Sequence, residues 1–450
     1  MGAGTAQRGA CLLISGKVRK NMEFVVFAGV LLLLFIFMIV QELIQTKNQE
    51  KLFKKYLREN YGKEPPKEYS LERFARLGSY LERHKEEKQL DDITWNDLGM
   101  DEVFRRIDRT YSAAGEEYLY YTLRNISCGR EALEHLEEVV NWLQGQENIK
   151  VRIQLLMKRL GHLGKYSLYD YLDNLDYLGE RSNRKIVLGN LLYLPFLLLL
   201  FVQPAMGTIG IVLCMLWHIM TYFREKKVIE PYIISFAYVL RLIDVCEELE
   251  KQKIPVYRRE LDELREALKS LLELRRGAYW VMAGNQGKIG GNPLDILADY
   301  LRMILHLDIF QFNRMLEKLR KKTGQVETML AITGYLDMAI SVGGFRKSLE
   351  GYCIPKLEED TEKAFLHMKK GWHPLLSQPV KNSIRADRGI LLTGSNASGK
   401  STFLKMVAVN AVLAQTIHTC AAESYHAPIF QIFSSMALRD SMENGESYYI

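Results

Sequence analysis

Three stretches of this 450-residue chain are apolar and carry no Asp, Glu, Lys or Arg, and that constrains the fold more than any other feature. From Phe24 to Val40 every residue is apolar or Gly, too continuously for one face of a water-soluble helix. A second run, Ile186 to Val202, is followed after Gln203 and Pro204 by a third, Ala205 to Phe223. The pattern predicts a membrane helix over 24–44 and a membrane helical hairpin over 186–223, turning at Gln203-Pro204. Arg181, Arg184 and Lys185 precede the hairpin and Arg224, Lys226 and Lys227 follow it, so both ends are expected in the cytoplasm, with the N-terminus outside. A cleaved signal peptide is the alternative for the first run, which lacks a small-residue cleavage site, and a buried helical pair is the alternative for the hairpin. Only His218 could ionise within the three runs, which therefore read as anchors and not as a transport path.

The remainder has the composition of a folded protein, 48% hydrophobic and 25% charged. Its 60 basic and 54 acidic residues are interleaved, so the net charge of +6 describes a mixed surface that permits nucleic acid without indicating it. The six cysteines form no C-x-x-C pair and do not cluster with the nine histidines, which points to a reducing compartment without structural zinc. Leu133, Leu136, Val139 and Val140 recur at helical spacing, as do Leu261, Leu264, Leu268 and Leu271. Another helical stretch is expected from about Pro293 to Lys322, with a start at Asn292-Pro293-Leu294-Asp295 and a stop at Gly324. The predicted organisation is a tail (1–23), the first span (24–44), a helical region (45–185), the hairpin (186–223), a second helical region (224–345) and a nucleotide-binding region (346–450).

The last region contains Gly389-Ile390-Leu391-Leu392-Thr393-Gly394, a short apolar strand by pattern, running into Ser395-Asn396-Ala397-Ser398-Gly399-Lys400-Ser401-Thr402 and then an apolar helix to about Gln415. This is G-x-x-x-x-G-K-S in the setting a phosphate-binding loop needs. Gly394 and Gly399 let backbone N–H groups turn inward on a phosphate, and the helix N-terminus adds its positive dipole end. Lys400 is placed to reach the β- and γ-phosphates of ATP, and the Ser401 hydroxyl to ligate Mg2+.

Around that loop, Gly371-Trp372-His373-Pro374-Leu375-Leu376, Val380-Lys381-Asn382 and the closing segment Ser434 to Tyr449 together resemble the ATPase domain of the MutS mismatch-repair family. Upstream, Trp95-Asn96-Asp97-Leu98 and Thr110 to Leu123 resemble the start of that family's helical core, and the chain looks closest to its membrane-associated bacterial branch. The resemblance implies an α-helical, membrane-anchored core followed by an incomplete α/β ABC-class P-loop domain. It implies His373 and Pro374 beside the adenine side of the nucleotide, and Ser447 acting in trans on the γ-phosphate of a second copy in an ATP-driven homodimer. A loop histidine and a helix-capping serine are the plainer readings of those two residues. Double-stranded, mismatched DNA is the partner the resemblance implies, and a cell membrane its location.

The loop departs from the family where Ser395, Ala397 and Ser398 replace the usual Pro, Met and Gly. The chain stops at Ile450 before any apolar strand ending in Asp-Glu, so it is expected to be a fragment or an interrupted frame, inactive in hydrolysis alone. Its only F-x-E, Phe223-Arg224-Glu225, sits at the membrane end of the third run and reads as coincidence. The other function open to the sequence is a membrane-bound ABC-class regulator or transporter-associated ATPase that never touches nucleic acid.

Overall fold

The computed structural model describes residues 37, 40, 41, 44–64, 69, 71–86, 88–126, 129–163, 166–275, 300–359, 363–395 and 399–436. The chain divides into Met1–Asn60 and Tyr61–Ile450. In the first, residues 44–60 are helical, and the tail and first span lie almost wholly outside the described residues.

The second unit is mostly helical with one small mixed sheet. Its helices are α1 (Leu71–Arg83), α2 (Asp92–Leu98), α3 (Met100–Ile107), α4 (Ala113–Arg124), α5 (Arg130–Gly145), α6 (Glu147–Leu160), α7 (Leu168–Asp173), α8 (Arg184–Leu191), α9 (Tyr193–Val202), α10 (Pro204–Glu250), α11 (Arg258–Leu271), α12 (Leu307–Arg320), α13 (Thr323–Ser348) and α14 (Lys400–Ile417). Local chemistry sets several boundaries. Asp91 caps α2 by accepting from Thr94 N at 2.8 Å, Ser112 caps α4 through Gly115 N, and Ser167 with Asp170 forms a capping box on α7. Gly99, at φ 68°, turns the chain from α2 into α3, a left-handed conformation in which glycine has no steric cost.

Leu133, Leu136, Val139 and Val140 line the buried face of α5, and Leu261, Leu264, Leu268 and Leu271 that of α11, as their spacing predicts. The stretch expected to stop at Gly324 behaves otherwise. His306, left-handed at φ 54°, interrupts it before α12, which ends at Arg320, and Gly324 lies inside the first turn of α13. A solvent-exposed glycine is a poor terminator when the apolar face that follows can be buried, and here that face carries the chain on. The expected start at Asn292 to Asp295 lies outside the described residues.

Helix α13 is the axis of the core. It is apolar and long enough to cross a membrane, yet most of it is enclosed by protein. It packs most closely on α4, where Gly115 of one helix faces Asp337 of the other and Gly334 faces the Ala114 carbonyl. A Cβ on Gly115 would stand 2.4 Å from Asp337 Oδ2, and one on Gly334 2.6 Å from Ala114 O, so both positions must lack a side chain. The Asp337 carboxylate is fully used. It accepts from Tyr111 N (3.0 Å), Ser112 N (2.9 Å) and Ser112 Oγ (2.7 Å), pinning the entry to α4. The segment Thr110 to Leu123 thus serves as a packing hub. Within it Glu116 pairs with Arg73 and Arg76, and burial pushes the Glu117 carboxyl up to about 8 although it accepts from the Ser167 hydroxyl.

The second and third apolar runs form a helical hairpin. Helices α9 and α10 meet at Gln203-Pro204 and cross closely at Gly207 and Gly210, where a Cβ would strike the Leu200 backbone and the Phe196 ring. Phe201 (88% exposed), Met220 (74%) and Leu198 (69%) turn outward, so the hairpin offers an apolar exterior. Helix α10 runs on past Phe223 and reaches Glu250, 47 residues in all. At 1.5 Å per residue that is about 70 Å. The helix is largely exposed in the hairpin, apart from the face that carries Gly207, Gly210, Cys214, His218 and Tyr222, and is more heavily buried from Ile233 onward. Of the cations flanking the hairpin, Arg181 bonds Glu225 and, at 3.0 Å, Asn313 Oδ1, tying the hairpin base to α12. Phe223-Arg224-Glu225 lies mid-helix with Phe223 exposed.

Beyond α13 come β1 (Lys356–Glu358), β2 (Leu366–Gly371), β3 (Asn382–Ala386) and, after α14, β4 (Ser424–Pro428). The sheet order is β1-β4-β2-β3; β1 and β4 are parallel, and the other two pairs are antiparallel.

Candidate functional site

Helix α14 begins where the glycine-rich loop ends. Gly399 adopts φ 85°, available to glycine at no steric cost, and Lys400 opens an 18-residue helix with no acidic residue in its first turn. The Lys400 ammonium folds back over the loop and donates to Gly394 O and Ser395 O, the latter at 2.6 Å. Ser401 and Thr402 stand exposed beside it. The start of α14 thus carries a helix N-terminus, a lysine and two exposed hydroxyl residues in succession, groups of the kind that suit an anion carrying several oxygens. Asn396, Ala397 and Ser398 lie outside the described residues.

The strand expected before the loop is not formed. Residues 389–395 take no regular structure, and Ile390 (54% exposed) and Leu391 (89%) face outward. The four strands pair among themselves, so this run has no ladder neighbour among the described residues, and strand propensity without a partner does not make a strand.

Two clasps hold the loop-bearing helix. At its middle, the buried Asn410 amide donates to Trp372 O (3.0 Å) and Met406 O (2.8 Å) while its oxygen accepts from Ala421 N (2.7 Å). That fastens Gly371-Trp372-His373 against α14, with Lys381 over the Trp372 ring at 4.7 Å. His373 is buried, its Nδ1 accepts from Leu375 N, and burial with the nearby Lys405 ammonium keeps the imidazole below its usual range. His373 therefore lies near the helix that carries Lys400.

At the C-terminal end, Arg346 from α13 enters the core fully buried. It donates to Thr419 Oγ1 (2.8 Å), to the carbonyls of Ile417 (3.3 Å) and His418 (3.0 Å), and to both oxygens of Glu137 on α5 (3.1 and 2.7 Å). A guanidinium at a helix C-terminus satisfies the last carbonyls and meets the negative end of the dipole. Burial pulls Glu137 upward, but the contacts from His418 and Arg346 outweigh it and hold the carboxyl at about 2. Neither Arg346 nor Asn410 stood out in the sequence. The available signal was a polar residue inside an apolar helix, which must find partners when buried.

The closing segment also reaches the helical core. Ser434 N donates to Thr94 Oγ1 (3.0 Å), and Asp97 accepts from Ser434 Oγ (2.8 Å) and Met436 N (2.7 Å). The Trp95-Asn96-Asp97-Leu98 motif therefore joins two parts of the chain, with Trp95 anchoring α2 in the core and Asp97 receiving the start of the segment that leads to Ser447. Ser447 itself lies outside the described residues.

The MutS domain V profile matches residues 390–450, which takes in the loop, α14, β4 and the segment docked on Asp97. A DNA mismatch repair protein MutS from Acholeplasma laidlawii is 31% identical over 145 residues. Over this part the chain is similar to MutS proteins. MutS proteins of Leptospira interrogans and Thermotoga maritima are each 30% identical, over 159 and 120 residues. The three alignments take up 31%, 33% and 25% of this chain, and 17%, 18% and 15% of the respective relatives. The chain thus spans under a fifth of the length of the MutS proteins it matches.

Proposed function

We propose that the chain is an ATP-binding, MutS-like protein that works beside a membrane. The carrying observation is the exposed Gly399–Lys400 helix start, with Lys400 poised over Gly394 and Ser395, inside the segment that matches MutS domain V. In this reading the backbone of Gly394 to Gly399 and the first turn of α14 cradle the triphosphate, Lys400 neutralises it, Ser401 ligates Mg2+, and His373-Pro374 flanks the adenine side. The α/β domain of a P-loop ATPase supplies the frame, and Ser447 reaches the nucleotide of a second copy. ATP then favours a homodimer, and the helical core holds mismatched double-stranded DNA in a repair-related role.

Sedimentation of the protein in ATP, ADP and no nucleotide, followed by DNA titrations across a salt series, tests this. ATP should favour the dimer, and the logarithm of DNA affinity should fall steeply with the logarithm of salt, because phosphate contacts release counterions. Identical sedimentation in all three states sinks the composite site.

A second reading, a membrane-bound ATPase regulator without nucleic acid, is favoured by the apolar exterior of the α9–α10 hairpin. DNA binding that is absent or indifferent to salt would select it. Both readings place the hairpin in the bilayer with the nucleotide site in the cytoplasm. The chain should then stay in the membrane fraction after an alkaline wash, even when residues 24–44 are deleted. Its release would remove the membrane from either reading.

A further inference from the structure

Below the loop-bearing helix lies a pair of thiols that the nucleotide reading does not use. Cys353, in the segment entering the sheet, and Cys420, just past the C-terminus of α14, form an isolated antiparallel bridge. Each donates its N–H to the other's carbonyl at 3.0 Å. Residues paired this way have Cα atoms about 5.5 Å apart. A disulfide requires about 4.4–6.8 Å, so the backbone already stands at bonding separation.

The two thiols differ in a way that orders their chemistry. Cys353 is half-buried and within reach of a small solute, whereas Cys420 is fully buried. The contact from the Cys420 thiol holds Cys353 below the usual thiol range despite burial, with help from the Tyr425 backbone. Burial pushes Cys420 well above that range, and its S–H also faces Asn410 O at 3.5 Å. Attack therefore falls to the accessible Cys353 thiolate, and the sheltered Cys420 waits as resolving group. The other described cysteines, Cys214 and Cys246, are buried, and neither is bridged to a second thiol-bearing residue.

We propose that Cys353 and Cys420 form a reversible oxidation site for small hydroperoxides. The Cys353 thiolate attacks one peroxide oxygen and the O–O bond breaks. With hydrogen peroxide, hydroxide leaves, takes a proton from solvent and becomes water, and Cys353 becomes a sulfenic acid. The Cys420 sulfur then attacks Cys353 sulfur. Its proton leaves with the departing hydroxide as a second water, and the S–S bond closes. Two thiols are oxidised and one peroxide is reduced. The disulfide would staple the entry of the sheet to the end of α14, next to the Asn410 clasp. Such a pair suits a reducing compartment, where disulfides are transient and sensing.

The test treats the folded, full chain with hydrogen peroxide and maps peptides without reduction. The expected result is a linked peptide joining Cys353 to Cys420, lost on dithiothreitol treatment, with both free thiols disappearing together. In Cys420→Ser the Cys353 sulfenic acid should persist and be captured by dimedone, and in Cys353→Ser no adduct should form at Cys420. The wild-type measurement stands even if either variant folds poorly. Absence of the linked peptide while other thiols or methionines oxidise overturns the proposal. So does a wild-type dimedone adduct at Cys353 that never resolves.

Discussion

Lys400→Ala is expected to weaken ATP binding by at least about 100-fold, some 2.7 kcal/mol, while leaving the fold intact. Among the described residues the ammonium is the side-chain cation folded over the loop, and its present partners are only the carbonyls of Gly394 and Ser395. A triphosphate offers it charged oxygens in their place, and charge-assisted bonds are about twice as strong as neutral ones. The alanine variant keeps Gly399 in its left-handed turn and α14 on the core, because the Lys400 side chain is not among the clasps that hold the helix. Equilibrium binding of a fluorescent ATP analogue, with circular dichroism beside it, reads both quantities. Unchanged affinity would end the assignment of this loop to phosphate.

Arg346→Met should destabilise the protein by about 3–5 kcal/mol, the usual cost of removing one partner from a buried ion pair. The substitution leaves Glu137 facing a hydrophobic side chain and strips the Ile417 and His418 carbonyls of their donor. Denaturant unfolding should show the loss, and it should depend on pH. Glu137 is held at about 2, below its unfolded value of about 4.5, so the contact stabilises the fold above pH 4.5 and fades as pH falls from there toward 2. In Arg346→Met that acid-limb dependence should shrink. An unaltered acid limb would show that Arg346 does not set the Glu137 carboxyl.

Much of this was legible in the sequence, for local reasons. The faces of α5 and α11 follow from leucine spacing, the hairpin from two charge-free runs about a Gln-Pro turn, and the helix after the loop from Gly399 and the apolar run behind it. What escaped depends on partners far away in sequence. Asp337 fixes Tyr111 and Ser112 from 226 and 225 residues away, and Arg346 reaches across to Glu137 and to the end of α14. No spacing rule couples such positions. Ile390 to Leu392 misled for the opposite reason, since an apolar run signals a strand only where a neighbour completes the ladder.

The unbroken run of α10 from Pro204 to Glu250 carries an evolutionary penalty. Every residue of a continuous helix keeps a fixed azimuth relative to every other, about 100° per position. Gly207 and Gly210 must face α9 while Ile229, Ile233 and Phe236 face the core, so the two demands are locked in phase. One codon added or lost between them would swing the hairpin about a quarter turn against a core to which Arg181 and Asn183 already tether its other strand. Point changes along the exposed stretch leave that phase untouched, whereas length changes preserve it only near whole numbers of turns. Lineages carrying this helix are therefore expected to vary in its letters and hardly at all in its count.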